Sequence, residues 1–193
     1  MKWIKRIGAS AACIAVFMTM STPPAPEAMY AEQMEMQTVQ IREAKVATVN
    51  TTEVKYVSRG LPRATRGTFK SYMDYRAIKD PKSNQAEIQR NAYTDESGYR
   101  RIGERYLVAM GTYYAEQVGK SFRITLSTGQ VFEVTMGDVK SDSHTDEQNQ
   151  YCVKDKTILE FIVDTRKISE LSRKLGSMAE FPGDIIGIEE IVE

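Results

Sequence analysis

Three aspartates and the chain's single histidine fall within the ten residues GDVKSDSHTD, Gly137 to Asp146. Carboxylates and an imidazole this close could hold a metal ion, pair His144 with Cys152 as base and nucleophile, or supply a carboxyl for acid–base catalysis. The metal reading is weak. Asp142, His144 and Asp146 alternate, which matches neither zinc ligand spacing nor the twelve-residue calcium loop with its central glycine and terminal glutamate. Cys152 and His144 have no identifiable third residue to orient the imidazole, so an incidental thiol is the better reading. No metal and no cofactor is expected. The carboxylate reading gains from Glu160 and Asp164 in ILEFIVDT and from Asp74 in SYMDY, all on or beside strand-like segments. Each has a plain alternative. Asp138 after Gly137 can cap a turn, Asp164 can begin a helix, Asp74 can pair with Arg76, and Glu160 can face solvent in an alternating strand.

The elements that must position these groups begin at Thr68. TFKSYMDYRAI is rich in strand formers, YLVAM is strand-like, and SFRITLSTGQVFEVTMGD reads as two alternating strands joined by Ser127-Thr128-Gly129-Gln130. TILEFIVDT and DIIGIEEIV supply two more. One helix is expected over RKISELSRKLGSM, with Ile168, Leu171 and Leu175 on one face and Gly176 as its stop. About six strands with one short helix predict a mainly β domain over residues 68–193, a small six-stranded barrel, because closure hides the edges of short strands. Residues 32–67 read as a partly disordered linker carrying one short strand near Val54–Val57.

The first residues have another character. Lys2, Lys5 and Arg6 precede an apolar run from Ile7 to Met20, and a proline-bearing stretch then ends in small residues. This is the layout of a signal peptide, residues 1–31, cut after Ala28 or Ala31. The run is short of the ~20 residues that cross a bilayer, so no stable membrane insertion is expected after cleavage. Cys13 lies too early, and with Ser10 rather than leucine before it, for lipid attachment. Cleavage removes three basic residues and Glu27, leaving a weakly acidic chain that argues against a nucleic-acid partner. It also leaves Cys152 alone, so no intramolecular disulfide can form. Such a chain fits an exported bacterial protein.

In order, SYMDY, YLVAM, VGKSFRITLSTGQVFEVTMGD, ILEFIVDT, SELSRKLGSM and IIGIEEI resemble the double-psi β-barrel of the three-Asp (3D) domains, rare lipoprotein A, membrane-bound lytic transglycosylase A, expansins and family 45 endoglucanases. The resemblance spans about residues 68–193 and rests on element order more than on a diagnostic string. It implies a secreted or cell-wall-associated protein whose partner is peptidoglycan or another cell-wall glycan, handled by carboxylates. Asp138 matches the aspartate closing the strand after the turn. Glu160 stands at the "I-D" position that supplies the general acid in some branches. Asp164 matches a further aspartate of the 3D pattern, and Asp74 sits where family 45 enzymes carry their base. There are departures. DVKSD replaces the family's "D-T-G-G-A", Gly111 stands where an aspartate follows "V-A-V", and roughly ten residues are inserted between Asp138 and Glu160. The site is therefore either remodelled or catalytically lost.

A lytic transglycosylase needs one carboxyl, which protonates the glycosidic oxygen and then accepts a proton from the sugar's own 6-hydroxyl. Inverting hydrolysis needs a second carboxylate, about 6.5–9.5 Å away, to activate water. Glu160 is the expected acid, with its pKa raised by neighbouring carboxylates, and Asp138 assists. Among the tyrosines between residues 72 and 114, Tyr72 and Tyr113 are candidates to stack sugar rings, and His144 to bind substrate.

Overall fold

The computed structural model describes residues 33–37 and 54–192. The expected leader, 1–31, lies outside the described residues. The chain divides into two units, Met1–Thr51 and Thr52–Glu193. Of the first, residues 33–37 form one exposed helical turn, α1.

The second unit is mainly β. Its strands are β1 (Lys55–Ser58), β2 (Tyr72–Asp74), β3 (Tyr93–Thr94), β4 (Arg100–Ile102), β5 (Arg105–Met110), β6 (Ser121–Leu126), β7 (Val131–Val139), β8 (Leu159–Val163) and β9 (Ile185–Val192). Two helices accompany them, α2 (Asn84–Asn91) and α3 (Glu170–Leu175). All nine strands join one sheet in the order β1-β9-β6-β7-β5-β4-β3, with β8 paired to β5 and β2 paired to β8. That differs from six strands in a ring: the sheet has more strands and its ladder does not close. The added strands are β1, β3 and β4. β1 is the strand expected near Val54–Val57, and it pairs antiparallel with β9, so the domain begins before Thr68.

β6 shows why alternation identified it. Phe122, Ile124 and Leu126 are buried and Ser121, Arg123 and Thr125 partly exposed, as a strand with one solvated face requires. The β6–β7 connection turns at Gly129, whose φ of +86° suits glycine, and Leu126 donates to the Gln130 carbonyl. β8 differs. Leu159, Phe161, Ile162 and Val163 are all buried, because β8 lies between β5 and β2 with both faces covered. The core gathers Tyr99, Phe132, Phe161 and Phe181, with Phe161 and Phe181 stacked at 4.5 Å between centroids.

The helices depart from the sequence pattern. α3 is six residues long, and Leu171 and Leu175 are exposed. Its buried contacts are Ile168, just before it, and Ser172, whose hydroxyl donates to Glu180 at 3.0 Å. The expected apolar face is therefore absent: Ser169 caps the helix, Gly176 ends it at φ +65°, and too few turns remain to build a stripe. α2 has no buried residue, hence no hydrophobic period to read, and is set by the Ser83 cap on the Ala86 amide.

Around Lys70 the chain makes a polar seam. Its ammonium, fully buried, donates to the carbonyls of Gly67, Thr68 and Gly183 at 3.1, 3.1 and 2.6 Å. Beside it the Ile185 amide donates to the Arg66 carbonyl at 2.9 Å, tying the start of β9 to the stretch leading into β2. Burial pulls the Lys70 pKa down to about 8, against the charge of Asp184.

Candidate functional site

Asp138 owes its position to a bulge. Along β5 and β7, Val108 faces Met136 and Ala109 faces Asp138, so Gly137 is an extra residue on β7. A side chain at Gly137 would lie 3.0 Å from Ile162 Cδ1 and 3.3 Å from Leu107 Cβ. Glycine lets the bulge sit against the core, and the bulge re-aims the next residue. On the other flank of β5, Ala109 faces Glu160 of β8. The two carboxylates thus stand on either side of buried Ala109, two strand spacings apart, about 10 Å between backbones.

Asp138, Glu160 and Ala109 line a cleft of about 830 Å³, whose far wall is the segment from Ser141 to Asp155 and includes His144 and Cys152. Lys140 completes it. Lys140 follows directly on β7, two residues beyond Asp138, and its ammonium pairs with Glu160 at 2.9 Å. That spacing in GDVKSD was the one signal in the sequence that could have identified Lys140. Burial pushes the Asp138 carboxyl above the usual carboxylate range, and the charge of Glu160 adds to this. The Val139 amide, donating at 2.9 Å, the Gln85 side chain and Lys140 oppose it. Of the three cleft carboxylates, Asp138 is thereby the one favoured as a proton donor, while Glu160 is engaged by a cation and Asp155 accepts from the Thr157 amide at 3.0 Å.

The other expected acids lie elsewhere. Asp74 accepts from Arg76 Nε and Nη2 at 2.6 and 2.5 Å and from the Thr165 amide and hydroxyl at 3.1 and 2.5 Å. Those bonds, Arg76 first, hold its carboxyl far below the ordinary range. Asp164 is buried and gripped by Arg166 Nε and Nη2 at 2.8 and 2.7 Å, which lowers its pKa to about 2. Neither lines the cleft, and both are fixed as anions in an arginine network. Asp164 does not cap α3 either; Ser169 does. Tyr72 is half-buried against the core, and Tyr113 lines a separate cleft of about 430 Å³ together with Tyr151.

The inserted loop is organised by its own polar groups. Asp146 accepts from the amides of Gln150 and Tyr151 at 2.6 and 3.0 Å, Thr145 donates to Asn149 at 2.6 Å, and Thr112 donates to Asp142 at 2.8 Å. The alternating acids are thus turn and docking groups, and His144 stands exposed at the rim. Among the described residues no cluster of three or more His, Cys, Asp or Glu side chains is placed to hold a metal. The loop also accounts for Gly111. A Cβ there would come within 1.9 Å of the Asn149 carbonyl oxygen, so the loop backbone occupies the space a side chain would need.

Fold and site together define a mainly β protein with a cleft holding a raised-pKa aspartate and a lysine–glutamate pair. Compared with known families, characterised proteins and solved structures, the chain matches none of them. Among the described residues no helix is long and apolar enough to cross a membrane.

Proposed function

We propose that this is an exported bacterial cell-wall protein that cleaves peptidoglycan in the manner of a lytic transglycosylase, with Asp138 as the single acid and base. The observation that carries the reading is the asymmetry of the cleft: burial raises Asp138, whereas Glu160 is tied to Lys140 at 2.9 Å. Hydrolysis by two carboxylates would need the second one free to activate water. One-carboxyl chemistry needs only a donor that later takes a proton back. The sequence expectation of Glu160 as acid is accordingly replaced by Asp138, with Glu160 and Lys140 shaping the charge around it.

A double-psi β-barrel is the architecture we assign to β2 and β5–β9. Their pairings are β2–β8 and β5–β7, both parallel, and β5–β8, β6–β7 and β6–β9, all antiparallel. Exchanging β2, β5 and β6 with β7, β8 and β9 turns the two parallel pairs into each other and leaves β5–β8 and β6–β9 unchanged. It also turns β6–β7 into β9–β2, a pair absent from the ladder, with the Ile185–Arg66 hydrogen bond joining the start of β9 to the stretch before β2 in its place. Two equivalent halves, each lending one parallel pair, support the double-psi arrangement, although the sheet's ladder stays open between β9 and β2.

A non-catalytic glycan-binding barrel is the second reading, favoured by one observation: the Asn149 carbonyl fills the space beside Gly111, where the double-psi barrels this chain resembles in element order carry an aspartate. The two separate on incubation of the purified mature chain with sacculi. Cleavage releases anhydromuropeptides, and Asp138→Asn lowers the rate by about 10²–10⁴-fold, as loss of a general acid does. Sacculus binding without release by the wild-type chain favours the binding reading, and release unaffected by Asp138→Asn refutes the assignment of the acid.

A further inference from the structure

The inserted loop walls two clefts. Ser143, His144 and residues 152–155 border the main one, whereas Asp146, Gln148, Gln150 and Tyr151 border a second of about 430 Å³, together with residues 60–64 and Tyr113. Gln150 is only 9% exposed, and the Asp146 carboxylate fixes its backbone amide at 2.6 Å. Its carboxamide, by contrast, bonds no group among the described residues, and neither does the Tyr113 hydroxyl. Both tips lie beside Gly60: a Cβ there would stand 2.5 Å from the Tyr113 hydroxyl oxygen and 4.0 Å from Gln150 Nε2. A side chain at position 60 would push the hydroxyl aside, so glycine keeps the two polar tips together at one place in the cleft. A buried carboxamide without a partner is costly, and folded chains rarely leave one unsatisfied.

We propose that this second cleft is a saccharide-binding site, in which the Gln150 carboxamide and the Tyr113 hydroxyl take the hydroxyls of one sugar unit. A carboxamide and a phenolic hydroxyl each donate and accept, and so does every hydroxyl of a pyranose, so the pairing holds whichever way the protons point. The charged residues of the lining, Arg63 and Asp146, are one of each sign, and Asp146 is engaged by the amides of Gln150 and Tyr151 at 2.6 and 3.0 Å. The cleft therefore favours a neutral ligand over an ion. Its lining is also mostly polar, unlike the apolar pockets that take peptide side chains. The rings of Tyr113 and Tyr151 have Arg59 and Lys156 over them at 5.9 and 5.1 Å, so the polar tips rather than ring stacking are the main contacts. The choice of a wall glycan rests on the proposed function, but Asp138 is not part of this cleft and binding here does not require cleavage.

The test is an NMR titration of the purified chain with an N-acetylglucosamine tetramer, read at the Gln150 side-chain amide and at the backbone amides of residues 60–64 and 146–151. Those signals should shift together with one Kd. Tyr113→Phe and Gln150→Leu should each raise that Kd by about 3- to 10-fold, the effect of losing one hydrogen bond. Tyr113→Phe removes one oxygen and keeps the ring, so it serves even where Gln150→Leu disturbs the loop. Asp138→Asn should leave this Kd unchanged. No shift at these residues, shifts confined to the main cleft, or a Kd unmoved by both variants overturns the proposal, even in a chain that releases anhydromuropeptides from sacculi. Shifts here with a free stem pentapeptide and none with the tetramer assign the cleft to peptide and overturn it too. Tetramer binding at these residues in a chain that releases nothing supports the site and sinks the catalytic reading instead.

Discussion

Gly111→Ala puts the relation between the inserted loop and the barrel to a direct test. The new methyl would stand 1.9 Å from the Asn149 carbonyl oxygen and 2.8 Å from its carbon. Ordinary contact requires the loop backbone to retreat by roughly 1.5 Å. The loop is not free to yield locally, because Asn149 is held by the Asp146 carbonyl at 2.8 Å and by the Thr145 hydroxyl at 2.6 Å. It must move as a body, which strains the Thr112–Asp142 bond of 2.8 Å that docks it. Overpacking of this kind costs about 1–3 kcal/mol, and one lost hydrogen bond about 1 kcal/mol. A destabilisation of about 3 kcal/mol corresponds to a fall in Tm of roughly 6–12 °C for a domain of this size. Denaturant unfolding measures the loss, and amide exchange over residues 142–152 locates it. Because the same loop walls the main cleft, the glycan binding we propose for that cleft should weaken in step. A variant within about 0.5 kcal/mol of wild type, with unchanged loop protection, would refute the claim that the loop backbone excludes a side chain at position 111.

Asp138→Asn should stabilise the chain at neutral pH. Burial raises the folded-state pKa of Asp138, so its contribution is favourable while protonated and is lost as pH rises from the unfolded value through the folded one; asparagine escapes that loss. The difference from wild type should vanish in strong acid, as pH-dependent denaturation curves will show. Lys140→Met and Glu160→Gln should each destabilise, and the double variant should recover part of the sum, with a coupling of about 1–2 kcal/mol after allowance for the partial exposure of both side chains. Strict additivity would mean that the pair is not formed in solution. Lys70, about 8 in the fold against 10.5 unfolded, binds fewer protons when folded, so stability should climb between those pH values by up to about 3 kcal/mol. Lys70→Met should flatten that climb in thermal scans, and a climb equally steep in the variant would exclude Lys70 as its source.

Much of the fold was legible because burial writes its period into the chain. β6 alternates between core and solvent, and the Ser127–Gln130 turn announces itself through Gly129. For the same reason GDVKSDSHTD could be placed at the end of a strand, with Asp138 separable from the polar loop that follows. The sequence by itself determined where β1, β2 and β5–β9 lie and that Asp138 stands near the end of β7, since both follow from local pattern and order along the chain. α2 escaped it because a helix without an apolar face has no period, and α3 misled because its leucines are periodic yet exposed.

Only the tertiary structure decided which acids share a site. Asp74 and Asp164 are as acidic in composition as Asp138, but arginines 76 and 166 hold them as fixed anions away from the cleft. Glu160 meets Lys140 although β5 separates β7 from β8 in the sheet. A carboxyl's proton affinity depends on the groups within a few ångströms of it. For Asp138 those neighbours include Glu160 of β8, 22 residues further along the chain, and only the folded chain brings them together.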